Sequence, residues 1–162
     1  MPMALFAALR TAGLAAVALT AVCAGDAAAR ITVPAGFRVT TAATDMGRPS
    51  NLAFGRRGSL WTTSAGYSVA SSDGVWTKRR GARPRQVVRG LDTALGLCWF
   101  RGELYVSHRI RPGGRLYGRV TAFAGFDGRR FRRRRVVLDR LPVGLHNVDS
   151  IVAGPGGRLY VG

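Results

Sequence analysis

Cysteine, histidine, lysine and acidic residues are all scarce in this chain of 162 residues. It has two cysteines, Cys23 and Cys98, and two histidines, His108 and His146, none paired at the spacing of a zinc site. Eight acidic residues stand against 25 basic ones, of which only Lys78 is a lysine, giving a formal net charge of +17 at pH 7. The sequence therefore excludes a zinc site of ordinary spacing and disfavours chemistry that needs several carboxylates.

The first 29 residues predict a cleaved secretory signal peptide. A short N-terminal region with one arginine precedes the apolar stretch Thr11–Gly25, and Ala27-Ala28-Ala29 then provides the small-residue cleavage pattern. The apolar core is shorter than the roughly 20 residues that span a bilayer. The alternatives are a retained membrane anchor and a lipoprotein attached at Cys23, where Val22 occupies a position that favours a small residue. We expect a secreted or periplasmic protein with no stable membrane span after cleavage.

Cleavage would leave Cys98 as the only thiol, so no disulfide could form within the mature chain. Cys98 lies in the apolar run Leu95–Trp99, which favours a buried small hydrophobe over a reactive thiol.

The positive charge suggests a polyanionic partner, but its distribution favours another interpretation. Most basic residues are scattered, and the densest run, Arg132–Arg135, lies in Phe131–Leu138, which has the pattern of a strand. Charged side chains on an edge strand prevent pairing with other chains. We therefore predict a solvated edge strand here and no nucleic-acid partner, with a nucleic-acid site as the alternative.

From Arg30 onward the sequence predicts an all-β fold. No stretch has a sustained helical period, and short runs rich in Val, Phe, Tyr, Trp and Thr alternate with glycine-containing turns. The predicted strands are Phe37–Ala42, Asn51–Phe54, Ser59–Thr63, Gly74–Lys78, Gln86–Arg89, Leu95–Trp99, Glu103–Ser107, Arg119–Phe123, Phe131–Leu138, Ser150–Ala153 and Arg158–Val161.

Three internal repeats predict a β-propeller. Each repeat is an apolar strand, a glycine-containing turn, and then a leucine followed by an aromatic residue; the leucines are Leu60, Leu104 and Leu159, spaced by about 44 and 55 residues. Propeller blades repeat about every 40 to 50 residues. We expect about two and a half blades, with Phe37–Ala42 as the strand that closes the ring and the remaining blades missing beyond Gly162.

Four segments carry a resemblance to a known family: Val33–Val39, Gly47–Phe54, Gly144–His146 and Gly154–Val161. They resemble the soluble glucose/sorbosone dehydrogenase family, six-bladed propellers of which several members use pyrroloquinoline quinone and calcium. The resemblance implies that residues 30–162 are the N-terminal portion of such a propeller and that its substrate is a small sugar. It also implies that the quinone and calcium sites lie beyond the C-terminus, so that this chain alone is inactive.

His146 matches the position of the family's histidine, about eight residues before the Gly-Pro of the next hairpin turn. The resemblance implies that His146 is a general base, taking the proton of a sugar hydroxyl while hydride leaves the carbon for the quinone. The alternative is a loop histidine without catalytic function. Asp149 either orients His146 or caps its own backbone.

Three functions remain open from the sequence. The first is an exported sugar dehydrogenase-like protein with His146 as the proton acceptor. The second is a non-catalytic secreted propeller that binds a saccharide or a cell-envelope partner. The third, a lactonase-like propeller with metal-binding carboxylates, is disfavoured by the small number of acidic residues.

Overall fold

A computed structural model describes residues 31–67, 73–144 and 146–162 of the chain. These residues confirm the all-β prediction, since their regular structure consists of antiparallel strands and three short 3-10 turns. None of them forms a helix long and apolar enough to cross a membrane. The predicted signal peptide, residues 1–29, lies outside the described residues.

The chain divides into two compact units, residues 1–40 and residues 41–162. The described part of the first unit contains one turn, closed by a 3.1 Å hydrogen bond from Phe37 N–H to Pro34 C=O, with Gly36 at a φ of +87°. The predicted strand Phe37–Ala42 is wrong, because no strand is formed anywhere from residue 31 to residue 48. The apolar spacing there suits a strand, but the described residues provide no hydrogen-bonded neighbour to make it one.

The first sheet is a four-stranded antiparallel meander. Its strands follow one another in space as they do in sequence: β1 (Pro49–Phe54), β2 (Leu60–Ser64), β3 (Gly74–Lys78) and β4 (Arg85–Arg89). Gly74 is required at the start of β3, because a Cβ there would overlap the backbone carbonyl of Val88 on β4.

The second sheet repeats this arrangement, and a two-stranded hairpin follows it. The second sheet contains β5 (Leu97–Phe100), β6 (Glu103–Ile110), β7 (Tyr117–Phe126) and β8 (Phe131–Leu141), again in sequence order. The hairpin, called the third sheet below, pairs β9 (Ile151–Gly154) with β10 (Arg158–Val161). Of the ten strands predicted within residues 49–161, all ten are present, and β3 and β10 have the predicted bounds.

The connections fall into two groups because the strands alternate in direction. The end of the sheets that carries the β2–β3, β4–β5, β6–β7 and β8–β9 connections is called the loop end. The opposite end carries the five tight turns that follow the odd-numbered strands and is called the hairpin end. The first strands of consecutive sheets are near neighbours, β1 beside β5 and β5 beside β9.

Two apolar clusters hold the three sheets together. The first lies between the first and second sheets and includes the buried side chains of Trp61, Val75, Leu97, Leu104 and Phe123. The second lies between the second and third sheets and is formed by Tyr105, Val120, Ala122 and Ile151. Burial of this apolar surface, together with ladder hydrogen bonds, is the main stabilising contribution.

A buried carboxylate fixes the connection between the first two sheets. Asp73, 2 % exposed, accepts hydrogen bonds from the backbone N–H of Gly66 at 2.7 Å and of Thr93 at 3.0 Å. On the same connection, Thr63 Oγ1 donates to the Leu95 carbonyl at 2.6 Å. These bonds satisfy polar groups that would otherwise be buried without partners, and they hold the entry to β5 against the end of β2.

Candidate functional site

Three side chains meet at the loop end, one from the end of a strand and two from separate connections. Arg109, at the end of β6, donates from Nε to Asn147 Oδ1 at 2.7 Å, and Asn147 belongs to the β8–β9 connection. The Arg109 guanidinium also lies 5.4 Å from the ring centroid of Tyr67, which follows β2. A cation over an aromatic face is attracted by the ring quadrupole. Together Tyr67, Arg109 and Asn147 form what we call the loop-end cluster.

Asp92 supports the cluster from the connection between the first two sheets. Its backbone carbonyl accepts the Arg109 N–H at 2.7 Å, and its carboxylate accepts from Arg111 Nε at 2.9 Å and from Thr93 Oγ1 at 2.8 Å. Asp92 is 21 % exposed in its side chain and Arg111 is 52 % exposed. Solvent weakens an ion pair of this exposure, so the contribution of Asp92 to the cluster is its backbone hydrogen bond to Arg109.

His146 lies beside this cluster in sequence and is exposed to solvent. It belongs to the connection that enters β9 at the loop end. Among the described residues, no hydrogen bond or ion pair engages its imidazole, and none joins it to Asp149. The structure therefore leaves the proton-acceptor role of His146 a prediction, with an imidazole that is accessible to a solute.

His108 lies beneath the cluster and is structural. It is 8 % exposed, with Nδ1 at 3.0 Å from the Arg109 carbonyl and Nε2 at 2.9 Å from Thr121 Oγ1. A carbonyl can only accept, so Nδ1 carries the proton and Nε2 of the neutral ring accepts from the threonine hydroxyl. Burial lowers the pKa of His108 below its ordinary value, against the opposing effect of the Arg109 carbonyl. A neutral, fully bonded imidazole holds the backbone at Arg109 in place.

The two other sequence candidates occupy structural positions. The run Arg132–Arg135 lies on β8, which pairs only with β7 among the described strands and is exposed along nearly all its length, as predicted for a solvated edge. Cys98 packs against the second apolar cluster, and burial raises the pKa of its thiol. A raised thiol pKa lowers the thiolate fraction, which agrees with the predicted structural role.

The described residues do not provide a binding site for calcium or for a quinone. In residues 31–67, 73–144 and 146–162, no group of three or more His, Cys, Asp or Glu side chains is placed to hold a metal ion. Calcium requires six to eight oxygen ligands, several of them carboxylates. Arg109 and Arg111 at the loop end are already engaged, by Asn147 and by Asp92 respectively.

Sequence reasoning identified His146 but missed the loop-end cluster that its sequence neighbour Asn147 belongs to. Tyr67, Arg109 and Asn147 belong to no motif and lie far apart in the sequence, Arg109 and Asn147 being 38 residues apart. The available signal was the strand order itself, because consecutive hairpins place alternate connections at one end. Polar and aromatic residues in those alternate connections were candidates for a common site.

The fold and site define an all-β protein of stacked antiparallel sheets with a polar and aromatic cluster at one end. Comparison of the chain with protein-family models gave no match, and comparison with curated proteins gave none either. Its function is therefore argued from its own residues.

Proposed function

We propose that the chain forms successive blades of an exported β-propeller whose loop end binds a sugar, and that His146 accepts the hydroxyl proton when this sugar is oxidised. The observation that carries the proposal is the position of the exposed His146, next in sequence to Asn147 of the loop-end cluster. The family resemblance of the sequence supports the same assignment for His146.

The sheet arrangement supports the propeller. Blades of a propeller are four-stranded antiparallel sheets repeated around an axis. The first two sheets each have four strands in sequence order, and the neighbouring first strands β1, β5 and β9 are the strands that would line the axis. Loops at one end of such a scaffold are where binding residues are usually carried.

The chemistry of the loop-end cluster supports a sugar ligand. Tyr67 is 62 % exposed and offers both an aromatic face and a hydroxyl, and Asn147 has an amide NH₂ in addition to the oxygen that Arg109 engages. A sugar presents hydroxyls that donate and accept, together with apolar C–H faces. A neutral imidazole carries a nitrogen lone pair that can accept a hydroxyl proton.

Oxidation also requires an acceptor for the hydride that leaves the carbon. In the family that the sequence resembles, this acceptor is a quinone, and the oxidation assay must therefore supply it together with calcium. A second function, saccharide binding without catalysis, needs only the residues of the loop-end cluster. The two functions share the binding site and differ only in the role of His146.

Binding is tested by NMR on the purified chain, using its two histidines as an internal comparison. We expect millimolar aldoses to shift the imidazole resonances of His146 and to leave those of the buried His108 unchanged. Tyr67→Ala should weaken this response, and Phe54→Ala, which removes an exposed aromatic ring at the hairpin end, should not. If no aldose shifts the His146 signals and none receives saturation transfer from the protein, the sugar-binding proposal is wrong.

Catalysis is tested separately by dye reduction with aldose, quinone and calcium, on the longer propeller that the family resemblance implies, because the resemblance places the quinone and calcium sites outside this chain. A dehydrogenase requires aldose-dependent dye reduction that His146→Gln abolishes, with the NMR response at Tyr67 retained. Binding without any dye reduction would contradict the dehydrogenase and leave the saccharide-binding function standing.

A further inference from the structure

Two tight turns of consecutive sheets meet at the hairpin end. The β3–β4 turn is residues 79–84, and the β7–β8 turn is residues 127–130. The side chain of Arg85, the first residue of β4, donates a hydrogen bond to the carbonyl of Gly128 in the β7–β8 turn. The two residues are 43 positions apart, so the two turns are neighbours only because the first and second sheets pack together.

The strands that carry both turns are anchored on the first apolar cluster. Val87 and Val88 of β4, together with Phe126 and Phe131 at the ends of β7 and β8, pack against it. The ring centroid of Phe126 lies 4.9 Å from that of Trp61 and 4.9 Å from that of Phe131. Aromatic pairs at this spacing add to the stability of a packed core. The junction of the two turns is therefore a fixed part of the fold.

Arginine dominates the surface of this junction. Residues 79–85 and 127–132 contain seven arginines and one acidic residue, Asp127. Only Arg132 forms an ion pair with a described residue, with Nε 3.7 Å from Asp127. We call the seven arginines the corner patch, and all are exposed: Arg79, Arg80, Arg83, Arg85, Arg129, Arg130 and Arg132.

The acidic residues near the corner patch leave most of its charge uncompensated. Asp127 is engaged within its own turn, where Oδ1 accepts the backbone N–H of Arg129 and of Arg130, each at 2.9 Å. Asp45 lines a groove beside the β3–β4 turn together with Lys78, which supplies an equal positive charge. The patch therefore has a surplus of positive charge to offer to a partner.

The shape of this positive surface suits a chain of anions. A guanidinium presents a rigid fork of N–H donors that matches two oxygens of one anionic group. Beyond the two turns, the exposed Arg133 and Arg134 continue the positive surface along β8. Cations repeated over two turns and a strand match anions repeated along a polymer better than they match one small anion.

The neighbouring side chains favour a polysaccharide over a nucleic acid or a membrane. Bases of single-stranded nucleic acid stack on aromatic rings, whereas Phe126 and Phe131 pack against the first apolar cluster. Peripheral membrane segments bury apolar side chains among the lipids, and residues 79–85 and 127–132 have no exposed large apolar side chain. A polysaccharide with charged groups needs neither feature.

We propose that the corner patch binds a linear polysaccharide that carries carboxylate or sulfate groups. The patch lies at the hairpin end, and the loop-end cluster lies at the opposite end of the sheets, so the polysaccharide does not compete with the sugar of the proposed function. The two proposals rest on different residues and fail independently. Such a contact would hold an exported chain on an anionic glycan.

Binding is measured by NMR titration of the purified chain with heparin, which is sulfated, and with polygalacturonate, which is carboxylated. We expect both polymers to shift the backbone amide resonances of residues 79–85 and 127–132. Uncharged dextran should leave these resonances in place. Since salt screens exposed charges, the affinity for both anionic polymers should fall steadily as the salt concentration rises.

A double variant tests the patch itself. Arg80→Gln combined with Arg130→Gln removes one arginine from each turn and should weaken heparin binding about tenfold, because each exposed ion pair contributes only modestly. Far-UV circular dichroism checks that the variant is folded. The amide shifts of the parent chain locate the binding surface without any substitution.

Arg89→Gln combined with Arg115→Gln is the matched control, which removes the same charge from exposed positions at the loop end. The length of β4 separates Arg89 from Arg85 by about 13 Å, which exceeds the screening distance of about 10 Å at about 0.1 M salt. The control should therefore change the affinity for heparin by less than about twofold.

Three results would overturn the proposal. The first is that neither anionic polymer shifts the amides of the two turns at about 0.1 M salt. The second is an equal loss of affinity in the two double variants, because total charge would then explain the binding. The third is tighter binding of duplex DNA or of phosphatidylglycerol vesicles at equal concentration of anionic groups, which would make the patch a nucleic-acid or a membrane site.

Discussion

Arg109 Nε donates a 2.7 Å hydrogen bond to Asn147 Oδ1 and so ties the end of β6 to the connection that enters the third sheet. The two residues are separated by 38 positions. The bond therefore determines where His146, the neighbour of Asn147, is held relative to the loop end. Because it joins a charged donor to an amide in a partly buried setting, it is worth more than a surface contact.

Asn147→Ala should lower the free energy of unfolding by roughly 1–2 kcal/mol, since Arg109 loses the acceptor of its hydrogen bond. It should also speed amide exchange between residues 147 and 150. Urea unfolding and hydrogen exchange measure the two effects. Asn51→Ala is the control, because among the residues that the structure describes Asn51 Oδ1 accepts only from the N–H of Leu52; its cost should stay within about 0.5 kcal/mol. Equal costs for both variants would contradict the assigned role of Asn147.

Stability should fall as the pH drops below the ordinary pKa of histidine, because burial lowers the pKa of His108 in the folded state. In the unfolded chain, His108 binds a proton near the ordinary histidine pKa of about 6.5. In the folded chain, His108 stays neutral at that pH. The contribution of His108 to the free energy of unfolding is fully present above about pH 6.5 and is lost as the pH falls below that value. The slope is at most about 1.4 kcal/mol per pH unit.

Urea unfolding between about pH 7.5 and about pH 5.5 measures this dependence. His108→Gln, which removes the buried imidazole, should flatten it. A parent chain equally stable at both ends of this range would show that His108 does not resist protonation.

Three glycine-to-alanine variants should rank by the atom that the new Cβ meets. At Gly74 that atom is the fixed backbone carbonyl of Val88, at Gly55 it belongs to the buried Trp61, and at Gly144 nothing lies within 4 Å. Overpacking of this kind costs about 1–3 kcal/mol or more. Thermal unfolding should therefore place Gly74→Ala lowest, Gly55→Ala next and Gly144→Ala near the parent. A different order would show that the sheet relaxes around these sites.

The arginines of β8 should protect the chain from edge-to-edge aggregation. Arg133 and Arg134 are exposed and make no ion pair with a described residue, so their charges face solvent along the free edge. Replacing both by valine removes this protection and should produce light scattering and thioflavin binding. Replacing Arg79 and Arg80 by valine, in the turn between β3 and β4, removes the same charge without exposing an apolar edge. If both double variants aggregate equally, total charge and not the edge is responsible.

Within residues 49–161, sequence patterns were sufficient to predict every strand that the structure describes. The alternation of apolar residues and the glycine-containing turns located all ten strands there, because period-two burial and tight turns are local properties. The same reasoning failed at Phe37–Ala42, where no strand forms. A strand requires a hydrogen-bonded neighbour, and the pattern of one segment does not reveal whether that neighbour is present.

The candidate site was predictable only in part. His146 was found through its distance from the next hairpin turn, whereas Tyr67 and Arg109 carry no local signal. Their meeting depends on strand direction, on the sheet stacking around Trp61 and Ile151, and on the hydrogen bonds that hold each connection.

The sequence by itself determined the all-β class, the repeat of strand, turn, leucine and aromatic residue, and the charged edge at β8, since each depends on neighbours along the chain. Only the tertiary structure decided that His108 is buried while His146 is exposed, and that Tyr67 and Arg109 meet. Burial depends on which sheet packs against which face, and that is settled by contacts between residues distant in sequence.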